Sequence, residues 1–242
     1  MNEREKKECI ASIAAEIGRF EEVLESADFG LPVAACPGWT VEDLARHMGV
    51  VHRWATGILR SGEHVSTDDE GPAGKDAVTD WFADGARGLL DALTDADPAA
   101  QCWGFGMSQA AEFLFRRQLN EIFVHRIDLE MACDQPSPRD PALATDAIAE
   151  AFEVMLPRTV KRGLGPDLIA PVSFHCTDTA GGWTIDTESQ VTDGVTAEAV
   201  IEGPAESILL LVWQRIAIAD PSITTLGDQA AIDALVAGRL TP

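Results

Sequence analysis

Apolar positions in the first two thirds of the chain recur every three or four residues, the spacing that gathers side chains on one helix face. Lys6 to Ser26 carries Ile10, Ile13, Ile17, Phe20 and Leu24 on such a stripe, which predicts a first helix. A second is predicted after Cys-Pro-Gly-Trp-Thr, with Thr40 as N-cap and Asp43, three residues on, as the acidic partner of a capping box. Its stripe is Val41, Leu44, Met48, Val51, Ala55 and Ile58, and it ends near Leu59. Polar, Gly-rich Ser61 to Lys75 reads as loop, Asp76 to Thr94 as a third helix and Ser108 to Cys133 as a fourth. After the breaker Asp-Gln-Pro-Ser-Pro-Arg-Asp-Pro, a fifth runs from about Leu143 to Lys161. Four or five amphipathic helices of this length suit an up-and-down bundle.

Beyond Gly163-Leu-Gly-Pro the period shortens to two. Pro171 to Asp178 and Gly182 to Glu188 read as strands joined through Thr-Ala-Gly-Gly, a hairpin signal, and Ala197 to Gly203 as another strand. Pro204 to Ile218 reads as a helix with proline in its first turn, and Asp228 as the cap of a last short helix ending near Gly238. The change predicts a helical domain over residues 1–164 and a small α+β domain over 165–242.

Composition narrows the function classes. Of 242 residues, 46% are apolar, so the chain is globular, and 18 basic residues against 40 acidic ones give a net charge of −22. Nucleic acid and anionic membranes need a basic footprint, so neither is expected as a partner. The start of the chain shows no apolar leader, and the longest apolar run, Ile208 to Trp213, is too short to span a bilayer. Five scattered cysteines with no CxxC pair support neither a disulfide framework nor a thiolate zinc site, so a reducing cytoplasm is the expected compartment.

One stretch carries chemistry. In the fourth helix Leu114, Arg117, Glu121, His125 and Asp128 share a strip, and Glu121 and His125 sit four residues apart between apolar neighbours. On the second helix His47 shares the apolar stripe with Leu44 and Val51. A bundle brings such faces together, and two histidines with a glutamate form a three-ligand set with an open position. Two readings stand side by side: a metal site, or core histidines with Glu121 simply paired to Arg117. The spacing is not that of a zinc protease, since Asn120 and Val124 break the His-Glu-x-x-His pattern. His52, about 140° round the helix from His47, reads as exposed or as support to the site, and His64 and His175 as bystanders. Cys36 reads as a packed or capping thiol, and Asp128 as a group that orients His125 or joins a surface ion pair.

Cys36 to Trp54 ("CPGWTVEDLARHMGVVHRW") and Arg116 to Glu130 ("RRQLNEIFVHRIDLE") closely resemble the amino-terminal domain of mycothiol-dependent maleylpyruvate isomerases, within the DinB-like superfamily. The stretch from Ala197, with its "AEAVIEGPAESILLLVWQR", resembles the small second domain of the same family, so the likeness covers nearly the whole chain. The resemblance implies a four-helix bundle followed by an α+β domain. It implies a divalent metal, zinc foremost, on His47, Glu121 and His125, and mycothiol as thiol cofactor or cosubstrate. Arg215 falls where the family carries an arginine, which makes it the catalytic candidate for binding a substrate or thiol carboxylate; the alternative reading is an ordinary helix-surface arginine. Asn120 departs from the His-Glu often found there, with an expected effect on support of the site or on substrate choice. The implied function is metal- and thiol-dependent cis–trans isomerisation or S-transfer on a small electrophile. The alternative is a non-catalytic metal- or ligand-binding bundle. A monomer is slightly favoured.

Overall fold

Asn2 opens the first helix. Its side chain accepts from the backbone N–H of Arg4 and Glu5, and the Glu5 carboxylate accepts from Asn2 N–H, so the helix starts ahead of its apolar stripe. The computed structural model describes residues 1–66, 68–105, 107–192 and 195–242, apart from the side chains of Met107 and Ser108. The chain divides into two compact units, Met1–Ser137 and Pro138–Pro242.

The first unit holds α1 (Glu3–Ser26), α2 (Val41–Ser61), α3 (Lys75–Asp95) and α4 (Glu112–Cys133). Inter-helix contacts fix their directions. Glu16 and Arg19 of α1 meet Arg126 and Glu130 of α4 in matching order, so these two run parallel. Lys6 Nζ donates to Thr94 O at 2.8 Å while Phe20 stacks on Phe82 at 4.7 Å, so α3 opposes α1. His47 meets Glu121 whereas Ile58 packs with Leu114, so α2 opposes α4. The four helices therefore run up, down, down and up. The bundle has the expected helices, and its second connection, segment 62–74, is a crossover. Twenty-one residues of α2 rise about 31 Å, and an extended segment of this length reaches at most about 43 Å, enough to return.

Parallel α2 and α3 pack closely because glycines face each other's helix. A Cβ on Gly49 would fall 2.4 Å from the Trp81 ring, and one on Gly85 would fall 3.1 Å from Gly49 O. Phe20, Leu44, Met48, Phe82, Leu89, Phe115 and Ile122 fill the core. The fourth helix starts later than expected: Met107–Ala110 is a strand (β2) paired antiparallel with β1 (Gln101–Gly104). Helical spacing does not exclude a hairpin of four-residue strands, too short to show a period.

In the second unit α5 (Pro141–Glu150), a π-helical turn (Ala151–Met155) and α6 (Leu156–Lys161) form one helical run. The π turn has a cause in the sequence. Pro157 has no N–H for a partner four residues back, and the chain widens so that Leu156 N–H bonds Ala151 O. Phe152 packs on Phe174 at 5.1 Å and Trp183 at 5.7 Å, and Thr145 and Thr179 hydroxyls lie 2.9 Å apart. These contacts tie the run to the sheet, so the division falls between Ser137 and Pro138 rather than near residue 165.

That sheet comprises β3 (Val172–Cys176), β4 (Gly182–Ile185), β5 (Val191–Thr192), β6 (Ala199–Gly203) and β7 (Thr224–Gly227) in the order β5-β4-β3-β6-β7. β3 and β6 pair in parallel and the other neighbours antiparallel. Two short helices, α7 (Ala205–Val212) and α8 (Gln229–Ala237), complete the unit, and Asp228 caps α8 by accepting from Ala230 N–H. The helix expected to reach Ile218 stops at Val212. Among the described residues no helix is long and apolar enough to cross a membrane.

Candidate metal centre

Where α2 begins, the chain is clasped. Val33 N–H donates to Trp39 O and Trp39 N–H to Cys36 O, each at 2.9 Å, with Gly38 between them at φ +86°. Thr40 N–H then donates to Asp43 Oδ2 at 2.9 Å while Asp43 N–H donates back to Thr40 Oγ1. The Thr40 N–H and then its hydroxyl, both donating to Asp43 Oδ2, hold that carboxyl below the usual carboxylate range. The clasp sets the Trp39 ring 4.9 Å from that of His47.

The fourth helix is buried on most sides, charged positions included. Arg126 pairs with Glu16 and, at 2.9 Å, with Glu130, which also takes Arg19 and the Ser137 hydroxyl. From this helix Arg117, Glu121, His125 and Asp128 face α2, as their spacing predicted. Arg117 binds Glu121 Oε2. Glu121 Oε1 lies 3.3 Å from His47 Nε2 and 3.6 Å from His125 Nε2. The ion pair and the histidine cluster, read from sequence as alternatives, are both present: Glu121 serves each with a different oxygen.

Those distances match the edges of a coordination polyhedron. Ligand atoms about 2.0–2.2 Å from a shared tetrahedral ion lie about 3.3–3.6 Å from one another. One donor atom from each of His47, Glu121 and His125 lies within 4.8 Å of the other two. Burial, followed by the cationic influence of His125 and Arg117, pushes the His47 imidazole down to about 3, so it presents a neutral lone pair. His125 Nδ1 lies 3.0 Å from Asp128 Oδ2, which holds Nδ1 as the donor and leaves Nε2 free to ligate. Of the two roles read for Asp128, the structure has the orienting one.

One residue outside the expected set joins this shell, and two more line the cavity that His47 borders. Cys36 Sγ lies 3.9 Å from Asp128 Oδ2, and with His125 and Asp128 it forms a second group of possible ligands. Its place beside the site comes from the clasp, which pairs Pro32 with Thr40 across the loop. Asp69 and Glu70, read only as loop, line a cavity of about 570 Å³ that His47 borders. Their signal was the run of acids in a segment long enough to cross the bundle.

Other expectations differ. His52 is fully buried against Phe82, at 5.2 Å between ring centroids, because α2 is flanked by both α3 and α4. His64 packs on Trp103, and His175 lies 3.7 Å from Glu202 on the sheet. Asn120 is buried. Arg215 belongs to the second unit, past the end of α7, where its Nη1 donates to Trp213 O at 2.6 Å.

Residues 10–130 match the family described as mycothiol maleylpyruvate isomerase N-terminal domain, and residues 142–242 match the MDMPI C-terminal domain. Among curated protein sequences none matches. The crystal structure of the mycothiol-dependent maleylpyruvate isomerase is similar at 12% identity with a TM-score of 0.67, covering 93% of each chain. A histidine-to-alanine mutant of that isomerase is similar at 11% identity and TM-score 0.64, again over 93% of both.

Proposed function

This chain belongs to the mycothiol-dependent maleylpyruvate isomerase family, and from that premise we propose a metal-dependent enzyme that uses mycothiol to isomerise or thiolate a small electrophile. The observation that carries the reading is the meeting of His47 Nε2 and His125 Nε2 on one oxygen of Glu121. Two imidazoles and one carboxylate suit a divalent ion such as zinc and leave a position for a further ligand. A divalent ion held by His47, Glu121 and His125 would lower the pKa of a coordinating thiol, so that thiolate would be present at neutral pH.

The protein groups supply the frame. Asp128 fixes the tautomer and tilt of His125. Arg117 holds Glu121 by Oε2 and keeps Oε1 turned towards the histidines. Trp39 packs beside His47 and limits the directions its ring can turn. In isomerisation the thiolate adds to one carbon of a cis alkene and the π pair moves onto the neighbouring activated carbon. The former double bond rotates, the pair returns, and the carbon–sulfur bond breaks to release thiolate. In S-transfer the carbon–sulfur bond persists and a leaving group departs with its electron pair, or a proton quenches the carbanion. The role of Arg215 at a carboxylate rests on the family pattern alone.

Elemental analysis of untagged protein tests the first half of this reading, with about one divalent ion per chain expected. Thiol-dependent turnover of an activated cis alkene tests the second. His47→Ala should lose both while Val41, Leu44, Met48 and Val51 keep the helix packed. Turnover at the wild-type rate by a metal-free His47→Ala protein would end the proposal.

A further inference from the structure

The core of the first unit contains two polar side chains that take no part in the ligand set. His52 is fully buried, and neither of its ring nitrogens has a hydrogen-bond partner among the described residues. Gln118 is 1% exposed, and neither its amide nitrogen nor its amide oxygen has one. Helical period places both on core-facing strips. His52 shares its strip of α2 with Met48 and Ala55, and Gln118 its strip of α4 with Phe115 and Ile122, all fully buried. The two residues also fall in the same slab of the bundle. Antiparallel α2 and α4 are pinned at one level by His47 Nε2 and Glu121 Oε1, 3.3 Å apart, and at another by the apolar cluster of Ile58 and Leu114. His52 and Gln118 lie between those levels.

Their neighbours on these strips cannot satisfy them. Phe82, at 5.2 Å between ring centroids and tilted by 53°, offers His52 an aromatic ring, which meets one N–H at most and supplies no donor. The Thr56 hydroxyl donates to His52 O instead. Burial, followed by the positive charge of Arg53, pushes the imidazole down to about 3, so at neutral pH it has one N–H and one lone pair. Gln118 adds two N–H groups and a carbonyl oxygen. A direct bond between the two side chains would employ one atom of each and leave the others bare. Bare buried groups are costly, and folded proteins meet them with internal water that makes about three hydrogen bonds. Water both donates and accepts, which matches this mixed inventory. Ala55, one turn after His52, and Ala86, one turn after Phe82, bring only methyl groups to this part of the core.

We propose that the first unit encloses bound water between α2 and α4, held by His52 and Gln118, at an internal site separate from the metal position. The site takes water itself, not a larger solute, because both side chains are closed off from the surface. It stands whether or not the metal centre activates a thiol.

A crystal structure at a resolution that shows ordered water tests the site directly. A water oxygen within about 2.7–3.2 Å of a Gln118 amide atom and of a His52 ring nitrogen, or two linked waters in that order, is expected. A direct bond between the side chains, or apolar atoms packed against all four polar atoms, would overturn the proposal. Stability in solution gives a second readout, through His52→Phe, Gln118→Met and the double variant. Each single change leaves the other side chain with water that has lost partners, whereas the double change removes both polar groups and lets the water leave. The denaturant midpoint of the double variant should therefore lie above the value obtained by adding the two single shifts. Shifts that add within error would show that no common water joins the pair and would overturn the proposal. If a single variant is too unstable to measure, the crystal structure decides.

Discussion

Nδ1 of His125 lies 3.0 Å from Oδ2 of Asp128, one turn further along the same helix, and that carboxylate is fully buried. The pair holds the imidazole in one tautomer, with Nε2 turned to the proposed metal position. Asp128→Ala should therefore weaken metal binding by about 10–100-fold without removing any ligand atom. Titration against a competing chelator measures this, with circular dichroism to confirm that the helices persist. Unchanged affinity would show that His125 is oriented by something else.

Glu121 divides its two oxygens between Arg117 and the histidines, which separates two effects of changing it. Glu121→Gln removes the only anionic ligand, and metal occupancy should fall sharply under conditions that saturate the wild type. The substitution also takes the opposing charge from a guanidinium that is almost wholly buried. A loss of roughly 1–3 kcal/mol in the metal-free protein is expected on chemical denaturation. Full occupancy in this variant would remove Glu121 from the ligand set.

His52 makes acid stability testable. Burial first, then the positive charge of Arg53, pushes its imidazole down to about 3 from the ordinary 6.5. The folded protein thus binds the proton less readily than the unfolded chain. This contribution is complete above pH 6.5 and is lost progressively between pH 6.5 and 3. Between pH 6.5 and 5 the loss should be about 2 kcal/mol. His52→Phe should flatten that part of the stability profile, as read from denaturant midpoints. An equal slope in both proteins would refute the assignment.

Gly49 has a packing role that helix propensity opposes. Alanine there should gain about 1 kcal/mol of helix propensity, yet its Cβ would fall 2.4 Å from the Trp81 ring. Overpacking of this kind costs about 1–3 kcal/mol, so Gly49→Ala should be neutral to destabilising, whereas an alanine at Gly18, with open space around its Cβ, should stabilise. Thermal unfolding of the two variants compares them directly.

Much of this was legible in the sequence because it is local. Thr40 and Asp43 cap α2 as their spacing predicted, and Asp228 caps α8. The three ligand candidates were also legible, since their faces were fixed by helical period and an amphipathic face has one direction to turn. The departures all depend on long-range partners. Whether Phe152 packs on a helix or on Phe174 cannot be read from its own neighbours, so the helical run from Pro141 was assigned to the wrong side of the division. His52 was misplaced because its burial depends on α3 lying parallel to α2, which needs the crossover. Short strands such as Met107–Ala110 and Val191–Thr192 carry too few residues for a period to show. The shell around the ligands and the cavity beside them draw on loops, at Cys36, Asp69 and Glu70, where no period exists to fix a direction.

The crossover between α2 and α3 gives the protein two kinds of sequence freedom. His47, Glu121 and His125 stand on helices whose packing tolerates little change, while segment 62–74 contributes Asp69 and Glu70 to the cavity and no member of the ligand triad. Gly62 and Gly74 end and begin the flanking helices at positive φ and Val65 packs on the bundle, so these positions are constrained, whereas Asp69 and Glu70 are exposed. The rest of the cavity wall, including Trp39, Asp43, Val50 and Val51, lies on or just before the helix that carries His47, so the loop's share is the part that changes independently of that helix. A lineage can therefore vary that share of the cavity wall one loop residue at a time while His47, Glu121 and His125 keep their places.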